Sequence, residues 1–189
     1  MTNAAEDLLW VSQVVIFQNK KAFEKLVNKY QSPLRRFLLN LTGGDKELSD
    51  DLSQEAFIKA YLHLSTFKGT SKFSTWLFRI GYNEFYNAIR TKKVKVSLND
   101  DDRDLHQVHE LSTSDHVSID AHMDLKEALG VLRSEEKTAV LLVYMEGFTH
   151  HQAAEIMNCP LGTLKSLILR GKNKMQDFFK LEAHGAKQI

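Results

Sequence analysis

THHQAAEIMNCPLGTLKSLILRGKNKM, residues 149–175, contains two helical patterns separated by a break. Thr149 and Gln152 stand three apart, the spacing of a capping box, and open a short helix running through Met157. Asn158, Cys159 and Pro160 turn the chain into a second helix that carries Lys165, Arg170, Lys172 and Lys174 and no acid. Two helices joined by a turn of three or four residues make a helix-turn-helix, in which small Ala154 permits close packing and Leu164 faces inward. In the second helix Leu161, Leu164, Ile168 and Met175 form the apolar stripe. Thr163, Ser166, Arg170 and Asn173 then fall on the opposite face, bordered by Lys165, Lys172 and Lys174. Leu167 is expected on that outer side, positioned to meet a thymine methyl or another protein surface. A polar, cationic face of this width suits a duplex major groove: side chains near the helix start reach base edges and flanking cations neutralise phosphates. Lysines also serve solubility alone, but the capped helix and tight turn before these favour DNA.

Upstream, the three-and-four spacing of apolar residues continues, with only two prolines and nine glycines in 189 residues. Phe23, Leu26, Val27, Tyr30, Leu34, Phe37, Leu38 and Leu41 make one helical stripe closed by Gly43 and Gly44. A second helix is expected from Glu47 to Ser65, and a third over 73–93 that buries Phe73, Trp76, Leu77 and Ile80. With an apolar first helix over 6–18 these form a bundle. After Val96 the pattern collapses into SLNDDDRDLHQVHELSTSDHVSID, whose isolated apolar residues cannot bury a face. Helical order resumes at Ala121; Gly130 interrupts it before Ser134, the expected N-cap ahead of Glu135 and Glu136, and Gly147 stands where a C-terminal cap belongs. The fold class is therefore all-α: two small helical domains, 1–96 and 121–189, joined by an acidic linker over 97–120.

The net charge of +1 hides this division. Residues 97–120 hold seven acids and one base, a charge of −6, which leaves +7 on the other 165 residues. A single cysteine, Cys159, excludes an internal disulfide and fits a reducing compartment, with the cytoplasm as the expected location. The apolar run Leu8–Phe17 follows Glu6 and Asp7 rather than bases and is too short to span a bilayer, so no membrane insertion is expected.

The stretch EGFTHHQAAEIMNCPLGTLKS resembles region four of bacterial extracytoplasmic-function sigma factors, of the sigma-70 family, and DLSQEAFIKAYLHLSTFKGTSKFSTWLFRIGYN resembles their region two. The likeness extends from about residue 22 to about residue 180, in the family's order. It implies a transcription initiation factor that binds core RNA polymerase, recognises promoter DNA at the minus-thirty-five and minus-ten elements, and aids melting. The implied polymerase contacts are the β′ clamp helices and the β flap.

The resemblance also assigns residues. Asp51, Gln54 and Glu55 are implied to contact the polymerase; Asp51 and Glu55 are four apart on one side, which Ile58 and Leu62 continue as apolar contacts. The loop Phe67, Lys68, Gly69, Thr70 and Ser71, with His63, Ile80 and Asn83, is implied to capture an unpaired minus-ten base. Capture of this kind needs an apolar surface in place of stacking and polar groups to read the base edge. Most aromatics of the following helix (Trp76, Phe78, Tyr82, Phe85, Tyr86) are read as core, and the basic tail Lys92, Lys93 and Lys95 suits duplex phosphates. In region four the minus-thirty-five contacts implied are Lys165, Ser166, Leu169 and Arg170, with Thr163 near the phosphates and Leu167 on the same outer face. The chain departs from the family at Leu167, usually Arg, and at Arg170-Gly171-Lys172, usually Arg-Ala-Arg, which predicts a narrower or weaker minus-thirty-five readout. Asn87 in place of Asp and Arg133 in place of Pro are further departures. An anti-sigma factor is an expected partner, and the acidic linker is expected to thread the polymerase's RNA path.

His106, His109, His116 and His122 beside Asp115 and Asp120 invite a metal reading, but without a cysteine partner or ordered scaffold no metal is expected. No nucleophile with base and orienter, phosphate-cradling loop or paired acid is recognisable, so neither enzymatic activity nor a cofactor is expected. The competing class is a stand-alone helix-turn-helix regulator binding duplex DNA as a dimer, which leaves the N-terminal resemblance unexplained.

Overall fold

The computed structural model describes residues 4–97 and 119–185, which are helices joined by turns and loops, with no strand among the described residues. Most of the acidic linker, with His106, His109 and His116, lies outside them. Eight α-helices are described: α1 (Ala4–Phe17), α2 (Lys20–Leu41), α3 (Lys46–Leu62), α4 (Phe73–Ser97), α5 (Ile119–Gly130), α6 (Ser134–Val140), α7 (His150–Ile156) and α8 (Leu161–Gly185). They form two compact units, one centred on α1–α4 and the other on α5, α6 and α8.

In the N-terminal unit α2 is the axis. Ala22, Leu26, Tyr30, Leu34, Phe37, Leu38 and Leu41 are buried, one residue every third or fourth position, so one side of the helix is core over its whole length. The Asn19 side chain caps it by accepting the Lys21 N–H at 3.1 Å, and Asp45 caps α3 by accepting the Leu48 N–H at 3.0 Å. Small residues line the inner face of α3 (Ser49, Ser53, Ala56, Ala60), letting neighbouring helices approach closely. At Gly81 of α4 an added Cβ would stand 2.9 Å from Leu34 Cδ1, so α2 and α4 meet where only hydrogen fits without a shift. The α4 core differs in part from expectation: Phe73, Leu77, Phe78, Tyr82 and Phe85 are buried, whereas Trp76 and Ile80 are half-buried and Tyr86 is exposed. The buried set advances in threes and fours from Phe73, and Trp76 and Ile80 lie at its edge.

The first helix packs through Val11, Val14 and Asp7. Asp7 is buried: its carboxylate accepts the Tyr30 hydroxyl at 2.5 Å and pairs with the Lys29 ammonium, which lies 5.1 Å from the centre of the Trp10 ring. A charged pin of this kind was not legible as such, because Asp7 reads as an ordinary first-turn acid.

In the C-terminal unit the N-cap of α6 is Arg133 and not Ser134, which occupies the first helical position. The Arg133 N–H is satisfied by Glu136 Oε2 at 3.1 Å, the reach-back half of a capping box, so a side-chain oxygen at the cap itself is dispensable. From Leu141 to Met145 the helix widens to a π turn, closed by Glu146 N–H to Leu141 C=O at 3.0 Å. Gly147 ends it at φ +72°, a conformation that costs a side-chain-bearing residue more than glycine, and Phe148 N–H reaches back to Leu142 C=O at 2.9 Å. The expected box on α7 is present: Gln152 N–H donates to Thr149 Oγ1 at 3.3 Å and Thr149 N–H to Gln152 Oε1 at 3.0 Å. Asn158, at φ +50°, takes the left-handed position of the turn, and Cys159 N–H closes onto Ala154 C=O at 3.0 Å.

Candidate nucleic-acid interface

The first turns of α8 divide sharply. Leu164, Leu167, Ile168 and Gly171 are buried, whereas Thr163, Lys165, Ser166, Leu169 and Arg170 are exposed. This corrects the expectation that Leu167 faces outward: it is 8% exposed and belongs to the core, while Leu169 is 61% exposed. The reason is register. Leu167 lies three residues after Leu164 and four before Gly171, so 164, 167, 168 and 171 form one inner stripe, and Leu161 and Met175 only its half-buried ends. Ser166 Oγ donates to the Gly162 carbonyl at 2.9 Å. Gly171 is buried because α6 passes close by: a Cβ there would stand 2.9 Å from Val140 Cγ2 and 3.6 Å from the Glu136 carbonyl oxygen. The helix-propensity cost of a mid-helix glycine therefore comes with close α6–α8 packing.

Beneath this outer face lies Glu136. Burial raises its pKa, but the Lys174 hydrogen bond at 2.7 Å, the Arg133 N–H and the two positive charges outweigh that and hold the carboxyl below its ordinary value. Its other oxygen, Oε1, stands 3.5 Å from Arg170 Nε. Sequence reasoning assigned Glu136 no such role, because with the cap expected at Ser134 the three-residue spacing from Arg133 to Glu136 went unread. On the outer side Lys172 stands 5.9 Å from the centre of the Tyr144 ring.

In the N-terminal unit, α3 is followed by its C-cap His63, which is exposed, and a single 3-10 turn over Leu64–Thr66 leads into the loop 67–71. Lys68, Gly69 and Thr70 are exposed and Ser71 is half-buried; Gly69 sits at φ +69°. Phe67 is not a free wedge: its ring packs at 5.4 Å from Trp76 and 5.9 Å from Phe73, and Phe73 in turn lies 5.5 Å from Tyr30. Its half-exposed ring is thereby a fixed apolar wall. On α4, Asn83 is exposed and Ile80 half-buried.

The outer face of α3 presents Asp51, Gln54 and Glu55, all exposed, followed by Ile58 at 53% and Leu62 at 66% exposure. The last two rim an apolar groove of about 290 Å³ completed by Phe23, Phe57 and Tyr61, with the Phe23 and Tyr61 rings 4.9 Å apart. Ile58 and Leu62 thus leave apolar surface open to solvent at the rim of this groove. Lys59, beside them, has a raised pKa because it hydrogen-bonds Glu84 at 2.6 Å, against the opposing effect of burial, with Glu55 at 3.4 Å adding to the rise. Thus Glu55 is already part of an ion-pair network.

No group of three or more potential metal ligands and no helix long and apolar enough to cross a membrane occur among the described residues. Residues 26–94 match the Sigma-70 region 2 family and residues 122–175 the Sigma-70, region 4 family. The ECF RNA polymerase sigma-E factor of Escherichia coli K12 is 31% identical over 176 residues, covering 86% of this chain and 91% of that protein. The sigma-E factor of Haemophilus influenzae is 30% identical over 168 residues, 84% of this chain and 88% of that one. Among solved structures, the sigma factor RpoE of Bartonella quintana, in complex with the anti-sigma factor NepR, superimposes with a TM-score of 0.71 at 29% identity, over 85% of this chain and 98% of that one. CnrH, in complex with the cytosolic domain of CnrY, shares the fold with a TM-score of 0.67 over 93% of this chain and 98% of that one. With both regions matched in order and full-length relatives alike across more than four-fifths of the sequence, the chain belongs to the extracytoplasmic-function (ECF) sigma factors of the sigma-70 family and is a transcription initiation factor.

Proposed function

We propose that the chain docks on core RNA polymerase through Asp51, Gln54 and Glu55, with Ile58 and Leu62 seated on the β′ clamp helices. The C-terminal unit rests on the β flap. The loop Phe67–Ser71, flanked by His63, Ile80 and Asn83, takes an unpaired minus-ten base against the fixed Phe67 ring. The α8 face of Thr163, Lys165, Ser166, Leu169 and Arg170 reads the minus-thirty-five duplex; Leu167, being buried, is no longer among its contacts. The observation that carries this reading is the division of α8 into a buried stripe and a polar, cationic face ahead of which stands a capped helix and a tight turn. Such a protein acts in the cytoplasm, and an anti-sigma factor that covers the α3 groove and the α8 face would hold it inactive.

Transcription by purified bacterial core polymerase on a promoter library, with and without the protein, tests the reading. The expected result is protein-dependent transcripts that share two upstream elements, with little duplex binding by the free protein. Loss of minus-thirty-five dependence when Lys165 and Arg170 become Ala completes it. Tight specific duplex binding without polymerase, and no new transcripts, would overturn it in favour of a stand-alone regulator.

A further inference from the structure

Arg170 is the one arginine on the proposed reading face, and its side chain is 58% exposed above a Glu136 carboxylate that is 3% exposed. The two oxygens of that carboxylate have separate partners. Oε2 takes the Lys174 ammonium at 2.7 Å and the Arg133 N–H at 3.1 Å; Oε1 faces Arg170 Nε at 3.5 Å. Arg170 and Lys174 are four apart on α8, so Glu136 spans one helical turn from below. It can do so because Gly171 lets α6 approach to the point where a Cβ would collide with Val140. The carboxylate itself is fixed: it is buried, it closes the N-terminus of α6, and its rotamer is set by two hydrogen bonds that do not involve Arg170.

A guanidinium has five N–H donors in a rigid fork. An ion-pair contact at Nε from beneath leaves the two terminal amino groups, the pair able to read O6 and N7 of a guanine, uncommitted to Glu136. We propose that Glu136 is a positioning residue for promoter readout: it holds Arg170 in its reading rotamer and so sets base discrimination at the minus-thirty-five position that Arg170 contacts. The inference rests on the reading of α8 given above. Glu136 itself touches no DNA.

The test compares base preference at every minus-thirty-five position, measured by transcription from a randomised promoter library with holoenzyme assembled from the full chain. The variants are Arg170→Ala, Glu136→Gln, their combination, and Lys174→Met. Arg170→Ala identifies the position it reads. Glu136→Gln keeps the shape and one acceptor oxygen, which can go on taking the Lys174 and Arg133 donors, but loses the charge and turns an NH2 donor toward Arg170; it is expected to relax discrimination about fivefold to tenfold at that position alone, with no further effect once Arg170 is Ala. Lys174→Met leaves the Arg133 N–H to hold the carboxylate beneath Arg170 and is expected to leave that preference in place. Should Glu136→Gln reduce output equally at all positions, or act undiminished without Arg170, Glu136 is merely structural and the inference fails. Should Arg170→Ala alter no preference, the reading of α8 itself fails. Thermal melts guard against misfolded variants, and Lys165→Ala, at a reading-face residue that Glu136 does not touch, is expected to keep its full effect in the Glu136→Gln background; loss of that effect would overturn the proposal.

Discussion

The hydroxyl of Tyr30, on α2, donates a 2.5 Å hydrogen bond to the buried carboxylate of Asp7, on α1. The Lys29 ammonium pairs with the same carboxylate, so α1 is attached through a buried ion pair as well as through Val11 and Val14. Removing the acid takes the acceptor from the Tyr30 hydroxyl and leaves half-buried Lys29 with Glu6 alone, at 3.7 Å. Asp7→Ala is expected to destabilise the N-terminal unit by roughly 3 kcal/mol, and Tyr30→Phe by about 1 kcal/mol, in urea unfolding followed by fluorescence of Trp10 and Trp76.

Thr75 presents the opposite case. Its side-chain oxygen is buried in α4 and has no hydrogen-bond partner among the described residues. Thr75→Val replaces the hydroxyl with a methyl group of similar volume and is expected to raise stability by about 1 kcal/mol, read from the same unfolding curves. A loss of that size would mean that the hydroxyl is satisfied in solution.

Leu167 and Leu169, two positions apart, are expected to separate folding from recognition. Leu167→Ala is expected to cost roughly 2–3 kcal/mol by opening a cavity between α8 and α6, and Leu167→Arg to be worse, because a charge enters the core. Leu169→Ala is expected to leave the melting temperature within a degree or two while lowering transcription from minus-thirty-five-dependent promoters. Thermal melts beside promoter assays distinguish the two.

On α3, Leu62→Asp places a charge on the rim of the apolar groove at a side chain that is already two-thirds exposed. Polymerase affinity is expected to fall at least tenfold, measured by competition for core enzyme, while urea stability stays within about 0.5 kcal/mol.

The Glu136 site carries a pH signature. Its carboxyl pKa in the folded protein lies below the ordinary value, since Lys174, the Arg133 N–H and their charges outweigh the effect of burial. The stabilisation is therefore complete above the unfolded-state value, about 4.3, and is lost as pH falls through the lower folded-state value. Amide exchange in α6 and α8 is expected to accelerate through this window, and Glu136→Gln to flatten the dependence.

Much of the architecture was legible because periodicity and capping agree. The α2 stripe, the Thr149 and Gln152 box and the Gly147 terminus all appear where spacing put them. On α8, Thr163, Ser166 and Arg170 fall on the outer face as read. Leu167 escaped because a four-residue step from Leu164 to Ile168 hides the three-residue step beside it; the width of a buried stripe is set by what packs on it, here α6, which lies far away in sequence. Ser134 looked like a cap by residue type, but the reach-back of Glu136 relieves the cap position of that requirement. Asp7 and Glu136 escaped for a shared reason: nothing local distinguishes a buried carboxylate from a solvated one when its partners come from another helix.

The absence of a side chain at Gly171 bears on how promoter preference can be re-engineered. A donor helix with the family's usual Arg-Ala-Arg in place of Arg170-Gly171-Lys172 brings a Cβ to within 2.9 Å of Val140 Cγ2. Transplanting α8 alone thus carries a steric conflict into the core. Grafts that exchange α6 and α8 as a matched cassette avoid it, so the two helices are expected to be exchangeable only as a pair.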